Sequence, residues 1–274
     1  MIKVNHDLRC VDGKTIYMPA WKGGQAGWGN LTMPDVREVD ITQQYPVGTK
    51  LVDSERVFYY AKSLGITNTD MGVKNGYTQH IAFTTIAAVA VAGTTKVVID
   101  VAATDGVLAN GAIAEDELAG GYVVIFPHAT NSFTSRIVSN TATTGAGEMT
   151  LALGDELPVA IDVDTDHGEC MANPFLGVKN AADSTSSVMG MARMIAASGK
   201  WLWLQTWGPI WIAPQAEVSV GNNDRQVVFR HDGSVDEYDY SDLNVTKAQH
   251  AGFVLANASG GGQGAAFIML QICP

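Results

Sequence analysis

Residues 201–214 carry the strongest structural signal in the chain and read Trp-Leu-Trp-Leu-Gln-Thr-Trp-Gly-Pro-Ile-Trp-Ile-Ala-Pro. Four of the chain's six tryptophans lie in this run. Up to Trp207 the tryptophans stand at odd-numbered positions and the leucines at even-numbered ones. This alternation with a period of two predicts a β-strand. Gly208 and Pro209 predict a break, because proline has no N–H to give to a ladder. Both faces of the run are apolar, so we expect it to be buried on both sides.

Two roles are open for these tryptophans. Each ring can bury roughly 150–250 Å² of surface, which would make the strand the anchor of a hydrophobic core. The alternative is an aromatic platform on which sugar rings stack. A platform needs exposed rings with polar hydrogen-bonding groups beside them, whereas this run is apolar on both sides. We therefore favour core packing and expect Trp203 to be buried.

The bulk composition limits the classes of protein. A chain of 274 residues allows one large β domain or two smaller ones. The net charge of −11 argues against a nucleic-acid partner, because phosphate binding depends on clustered Lys and Arg. No uninterrupted apolar run is long enough to predict a membrane span. The cysteines, Cys10, Cys170 and Cys273, show neither a disulfide framework nor zinc spacing, which fits assembly in a reducing cytoplasm.

The first 48 residues predict an extended N-terminal arm. Residues 21–29 are rich in glycine and contain Trp21 and Trp28, and prolines interrupt any regular element. Such a segment cannot bury its own tryptophans well. We expect Trp21 and Trp28 to pack on a partner, either the rest of this chain or a neighbouring subunit.

The remaining sequence predicts an all-β protein with a β-barrel or β-sandwich body. Residues 80–172 alternate short β-rich runs with turns at roughly ten-residue spacing, which is typical of a barrel-like domain. The ambiguous run 86–91 is interpreted as extended because threonines surround it. Residues 49–79 and 173–274 predict a second β-rich body. We find no long amphipathic helix and no repeat of fixed period.

Catalytic and metal-binding patterns are weak. Residues 162–169 alternate aspartates like the start of a calcium loop, but His167 stands where an EF-hand needs glycine and Asn173 where it needs glutamate. The acidic run 232–242 would suit glycoside hydrolysis only if two carboxylates faced a common cleft. Cys170 with a distant histidine is a pairing that any long chain offers, and no nucleophile or phosphate-loop motif occurs. We expect no catalytic residue, metal or cofactor, and we predict that the protein is not an enzyme.

Several short motifs, in their order along the chain, carry a family resemblance. They are Arg56-Val-Phe-Tyr-Tyr-Ala-Lys62, Gly120-Gly-Tyr-Val-Val-Ile125, Leu151-Ala-Leu-Gly-Asp-Glu-Leu157, Asn173-Pro-Phe175 and Ala197-Ser-Gly-Lys200 followed by the tryptophan run. This ensemble resembles virion structural proteins of environmental tailed bacteriophages, of the kind encoded beside the major capsid protein. The likeness spans residues 45 to 274.

The resemblance implies a capsid decoration or cement protein, made in the host cytoplasm and located on the capsid surface of the virion. Its expected partners are the major capsid protein and copies of itself, in a homo-oligomer such as a trimer, with no nucleic acid and no membrane. The alternative is a head-fibre or tail-associated protein that binds the host or a carbohydrate. Aromatic rings on the surface would favour binding, and aromatic rings in the core would favour the structural role.

Overall fold

The computed structural model describes residues 6–11, 13–19, 33–76, 80–106, 108–128, 131–163, 165–180, 186–213, 218, 225–238, 248–256 and 267–274. The chain forms two compact units. The first, here called the body, comprises Met1–Gly76 and Phe175–Pro274, and the second, the inserted barrel, comprises Tyr77–Pro174. From the sequence we expect this division at residues 80 and 172.

Every regular element in the described part of the chain is a β-strand, which confirms the predicted all-β class. The described residues include no helix that could cross a membrane. The strands are β1 (His6–Val11), β2 (Lys14–Pro19), β3 (Lys50–Asp53), β4 (Arg56–Ser63), β5 (Met71–Asn75), β6 (Ile81–Ala88), β7 (Lys96–Val101), β8 (Ala112–Ile113), β9 (Tyr122–Phe126), β10 (Phe133–Asn140), β11 (Thr143–Thr144), β12 (Gly147–Leu153), β13 (His167–Met171), β14 (Leu176–Lys179), β15 (Val188–Ala192), β16 (Trp201–Trp211), β17 (Gln226–Phe229), β18 (Val235–Glu237), β19 (His250–Ala256) and β20 (Phe267–Gln271).

The body is one 12-stranded sheet in the order β1-β2-β3-β4-β14-β5-β15-β16-β20-β19-β17-β18, with an additional pairing between β4 and β16. That pairing closes β4, β14, β5, β15 and β16 into a five-stranded barrel. Among the strand pairs of the described residues, β14 and β4 are the one parallel pair. The tryptophan strand β16 therefore belongs both to the barrel and to the β20-β19-β17-β18 extension that continues from it.

Strand β16 does not break at Gly208-Pro209, and the predicted interruption is wrong. The strand pairs with β4 from Trp201 to Trp207 and then with β20 from Trp207 to Trp211. Pro209 stands where β4 has already ended, so its missing N–H is tolerated as it is on an edge strand. The buried side chain of Gln205 donates hydrogen bonds to the carbonyl oxygens of Trp207 and Pro209, at 3.1 Å each, so it supplies donors for this irregular stretch.

The predicted arm comprises residues 1–48, and the described residues near its beginning form a β-hairpin of β1 and β2. Strands β1 and β2 pair with each other and β2 pairs with β3. Ile16 and Met18 of β2 are 3% and 1% exposed, and they belong to the hydrophobic cluster that holds Trp203. These residues therefore contribute to the core of the body.

The inserted barrel closes six strands in the order β10-β12-β7-β6-β13-β9, all antiparallel. Its interior is filled by fully buried aliphatic side chains such as Ile86, Ile99, Ile125 and Leu151, so it is a packed core. The ambiguous run 86–91 forms no helix: β6 continues to Ala88, and Ala90 makes an isolated antiparallel bridge with Ile161. Closure removes free sheet edges, which gives the unit a rigid outline.

Candidate functional site

Trp203 lies in the core, as predicted. Its ring is 2% exposed, and it meets the rings of Tyr45 and Tyr60 with centroid distances of 5.3 Å and 5.1 Å. Trp201 stacks on Tyr60 with nearly parallel rings, and the Lys62 ammonium lies 5.2 Å from the centre of the Trp201 ring. Edge and stacked contacts of this kind add to the area that the rings bury. This part of β16 is therefore core and offers no platform for sugar.

The expectation that β16 is buried on both sides holds only for its first half. Trp207 is half-buried and Trp211 is 38% exposed. The reason is that β4 ends opposite Trp207, so the five-stranded barrel does not extend beyond that residue. Beyond that point one face of the strand covers a hydrophobic cluster and the other is open.

The predicted partner-binding residues, Trp21 and Trp28, lie outside the described residues, so their role stays a prediction.

In the acidic run 162–169, Asp166 holds two loops together through hydrogen bonds. Asp166 is 4% exposed, and its two carboxylate oxygens accept hydrogen bonds from the backbone N–H groups of His128 and Asp162, at 2.6 Å and 2.8 Å. A carboxylate held in this way satisfies buried backbone donors and fixes the two loops against each other. Across the described part of the chain, no three side chains of His, Cys, Asp or Glu are grouped so that they could hold a metal ion.

The carboxylates of the run 232–242 are also engaged where the structure describes them. Burial acts to raise the pKa of Asp232, but hydrogen bonds from the Ser234 hydroxyl and N–H, with the nearby cations, outweigh it and bring the pKa below its usual value. Asp236 accepts a 2.5 Å hydrogen bond from Arg230. These two acids hold a turn and an ion pair, while Asp239, Tyr240 and Asp242 lie outside the described residues.

Cys170 has the environment of a core residue. It is fully buried, and this burial raises the pKa of its thiol far above the usual value, with the charges of Asp105 and Glu169 adding to the effect. A nucleophilic cysteine needs the opposite, a lowered pKa and access to substrate. The interior of the inserted barrel therefore keeps Cys170 inert.

Two exposed aromatic surfaces were not predicted from the sequence. One lies on the inserted barrel, where Phe83 is 60% exposed and stacks on His167 at 4.4 Å with an angle of 11° between the ring planes. Phe126 lies beside Phe83 at a centroid distance of 5.4 Å. The three residues come from the neighbouring strands β6, β13 and β9. No local sequence motif predicts this cluster, because its members are far apart in the chain and only the register of the paired strands brings them together.

The second surface, here called the apolar sheet face, is the outward side of β16, β20 and β19 in the body. Trp211 pairs with Phe267, and Met269 pairs with both Pro209 and Phe253. Residues directly opposite each other in an antiparallel pair point to the same side, so these side chains form one surface. Its most exposed members are Trp211, Phe253, Leu255 and Phe267, at 38%, 39%, 45% and 43%.

The fold and these surfaces define an all-β protein of two closed barrels with aromatic surfaces on each unit. A comparison of the chain with protein-family models, curated proteins and solved structures gave no match.

Proposed function

We propose that the chain is a structural protein of a tailed-phage virion, a decoration or cement protein that binds the capsid surface and stabilises the head. The observation that carries the proposal is the placement of Trp201 and Trp203, whose rings pack in the core with Tyr45 and Tyr60. The most conspicuous feature of the sequence thus builds a rigid body and does not present a ligand platform. The resemblance of residues 45–274 to phage virion proteins supplies the class.

Two further features support a structural role. The inserted barrel is closed and the body contains a closed five-stranded barrel, and closure removes the free strand edges at which chains could pair indiscriminately. Only 16% of the residues are charged, and interfaces between subunits are depleted of charge at their centres. The partners of this role are the major capsid protein and copies of this chain.

The test is co-sedimentation of the full chain with empty heads assembled from the major capsid protein of the same phage. We expect saturable binding that weakens in the double variant Trp21→Ala, Trp28→Ala, because two large apolar side chains would leave the contact. Truncation of residues 1–40 is a poorer test, since it also removes Ile16 and Met18 from the core. Phe83→Ala serves as the control for loss of an aromatic ring elsewhere. Failure of the wild-type chain to bind heads would contradict the proposal.

A second candidate function is host or carbohydrate binding by a head-fibre or tail-associated protein. The specific observation in its favour is the exposed ring of Phe83, stacked on His167 and flanked by Phe126. Thr85 and Asp100, which share a hydrogen bond, belong to the adjoining strands β6 and β7. An exposed ring with polar groups nearby is the arrangement that a stacked sugar requires.

This candidate is tested by affinity electrophoresis of the full chain in gels that contain host surface polysaccharide. Retardation that is lost in Phe83→Ala and kept in Phe253→Ala would favour it. Equal mobility with and without polysaccharide would exclude it and leave the capsid role as it stands.

A further inference from the structure

The sequence contains two Asn-Gly dipeptides, Asn75-Gly76 in the body and Asn110-Gly111 in the inserted barrel. We infer that Asn110 is a site of spontaneous deamidation, at a rate set by local opening of its turn. Asn75 carries the same local sequence but is protected by the strands that pair around it. The inference does not depend on the virion role, because it follows from the two dipeptides alone.

The reaction consumes only water. The backbone nitrogen of Gly111 gives its proton to a base in the solvent and attacks the side-chain carbon Cγ of Asn110. A bond forms between this nitrogen and Cγ, the bond from Cγ to Nδ2 breaks, and ammonia leaves with a proton from the solvent. Water then opens the resulting succinimide ring at one of its two carbonyls, which gives either aspartate or isoaspartate. Glycine favours the attack because it has no side chain to hinder the approach of its nitrogen.

The conformation of Asn110 suits this attack. The residue is exposed, and its Oδ1 accepts a hydrogen bond from the backbone N–H of Ala112 at 3.0 Å. In such an Asx turn the side chain folds towards the peptide that follows it, which is the peptide of the attacking nitrogen. The same hydrogen bond stabilises negative charge that develops on Oδ1 during the attack.

A hydrogen bond at the nitrogen restrains the reaction in the folded chain. The N–H of Gly111 donates to the carbonyl oxygen of Asp105 at 2.9 Å, so the attack requires this bond to open. Gly111 directly precedes β8, a strand of two residues that pairs with the two residues of β11. A ladder this short is marginally stable. The turn therefore opens locally, at a much lower free energy than the six-stranded barrel.

The surroundings of Asn75 are different. Asn75 ends β5, which lies between β14 and β15 in the 12-stranded sheet, and it pairs with Val178. The N–H of Gly76 donates to the carbonyl oxygen of Gly177 at 2.9 Å. Opening this bond means separating strands inside a large sheet, and such strands open at free energies close to that of global unfolding. The same dipeptide therefore reacts far more slowly here.

Isoaspartate at position 110 would disturb the turn. It adds one carbon atom to the backbone directly before Gly111, whose φ is +73°. Gly111 has little room, since a Cβ there would lie 2.6 Å from the backbone carbon of Gly145 and 2.9 Å from the carbonyl oxygen of Ala102. The hydroxyl of Thr143 also donates to the carbonyl oxygen of Gly111 at 2.7 Å. We expect the modified chain to lose this hydrogen bond and the pairing of β8 with β11.

The test is incubation of the full chain at mildly alkaline pH, followed by peptide mass spectrometry that separates asparagine, aspartate and isoaspartate. In the folded chain Asn110 should convert at least about tenfold faster than Asn75, because the two sites differ in the free energy of local opening. In denaturant the two sites should convert at similar rates, because the fold no longer restrains either of them.

A matched pair of variants tests the opening step. Thr143→Val removes the hydrogen bond to Gly111 and should speed conversion of Asn110 about fivefold, the change expected from loss of one hydrogen bond. Thr144→Val on the same strand leaves that bond in place and should leave the rate unchanged. Equal rates at Asn110 and Asn75 in the folded chain would overturn the inference. So would an unchanged rate in Thr143→Val, or an Asn110 that stays intact in the folded chain while the denatured chain converts completely.

Discussion

Trp203 belongs to the hydrophobic core of the body. It is the largest of the fully buried side chains and touches two tyrosine rings. Trp203→Ala should reduce the free energy of unfolding by about 3–5 kcal/mol, the range for removal of a large aromatic ring from a core. All six tryptophans belong to the body, so denaturant unfolding followed by tryptophan fluorescence reports on this unit alone.

Trp211→Ala is the matched control, since Trp211 lies on the same strand with a partly exposed ring. Its cost in a monomeric sample should be clearly smaller than that of Trp203→Ala. Equal costs for the two variants would contradict the placement of Trp203 in the core.

Because the pKa of Tyr60 is raised in the folded state, we expect the free energy of unfolding of the body to fall at alkaline pH. Burial raises the pKa of Tyr60 well above its usual value of 10.0, and the hydrogen bond that its hydroxyl donates to Asp40 raises it further. The folded state therefore holds this proton more firmly than the unfolded state does. The contribution to stability is complete below about pH 10 and is lost progressively as the pH rises above it, because only the unfolded chain ionises there. Burial raises the pKa of Tyr45 in the same direction.

The measurement is the free energy of unfolding of the body from pH 8 to pH 11, by the same fluorescence signal. In Tyr60→Phe the decline above about pH 10 should be shallower than in the wild type, although the variant starts from a lower stability. Tyr122→Phe in the inserted barrel is the control and should leave the slope unchanged. An identical slope in wild type and Tyr60→Phe would contradict this role for the buried hydroxyl.

How far the sequence predicts these residues depends on the range of the interactions involved. The alternation in residues 201–207 is local, and it was enough to predict a strand and the burial of Trp203. The burial of Ile16 and Met18 depends on pairing of β2 with β3 and on contact with a cluster that includes Trp203, which are long-range. The Phe83–His167 stack likewise depends on the register between β6 and β13, and no local pattern encodes that register.

Among the elements, β16 is the one that links the barrel of the body to its extension. Strand β4 pairs with one edge of β16, while β15 and then β20 pair with the other. The backbone is unusual at Gly208, where β4 ends and φ is +97°. A Cβ at this position would lie 2.6 Å from the carbonyl oxygen of Glu55, so only glycine fits. Gly208 and Pro209 predict a strand break when only neighbouring residues are considered. The strands that pair with β16 in this region, β4 and β20, are far away in the chain.

Gly208→Ala and Gly199→Ala form a matched pair that tests this account of β16. Gly199 also has a positive φ of +78°, but a Cβ there would meet nothing within 4 Å. Gly199→Ala should therefore cost only the conformational penalty of about 1–2 kcal/mol. Gly208→Ala should cost clearly more, because the backbone of β4 must also move. Equal losses in denaturant unfolding would contradict the close approach at Gly208.

At the scale of the whole molecule, the inserted barrel interrupts the body between β5 and β14. In the body, Gly76 donates a backbone hydrogen bond to Gly177 at 2.9 Å, and in the inserted barrel His80 donates one to Cys170 at 3.1 Å. The two points at which the chain leaves and re-enters the body are therefore adjacent, and so are the first and last strands of the inserted barrel. Termini that lie close together are typical of an inserted domain.

A body in which residues 77–174 are replaced by a short Gly-Ser linker should consequently fold on its own. Its tryptophan fluorescence and near-ultraviolet circular dichroism should match those of the full chain, since the Trp203 cluster lies wholly in the body. Residues 77–174 expressed separately should give the far-ultraviolet spectrum of a β protein. An unfolded body would show that the two units depend on each other for folding.

We propose that this chain binds and stabilises a phage head. The most direct measurement is the disruption temperature of empty heads, followed by light scattering, with and without a saturating amount of the full chain. A ligand that binds only the intact state stabilises it by mass action, by about 2.7 kcal/mol at a hundred times its dissociation constant. We predict a disruption temperature that rises with added chain until the heads are saturated. A temperature that stays the same at every concentration of chain would contradict the claim.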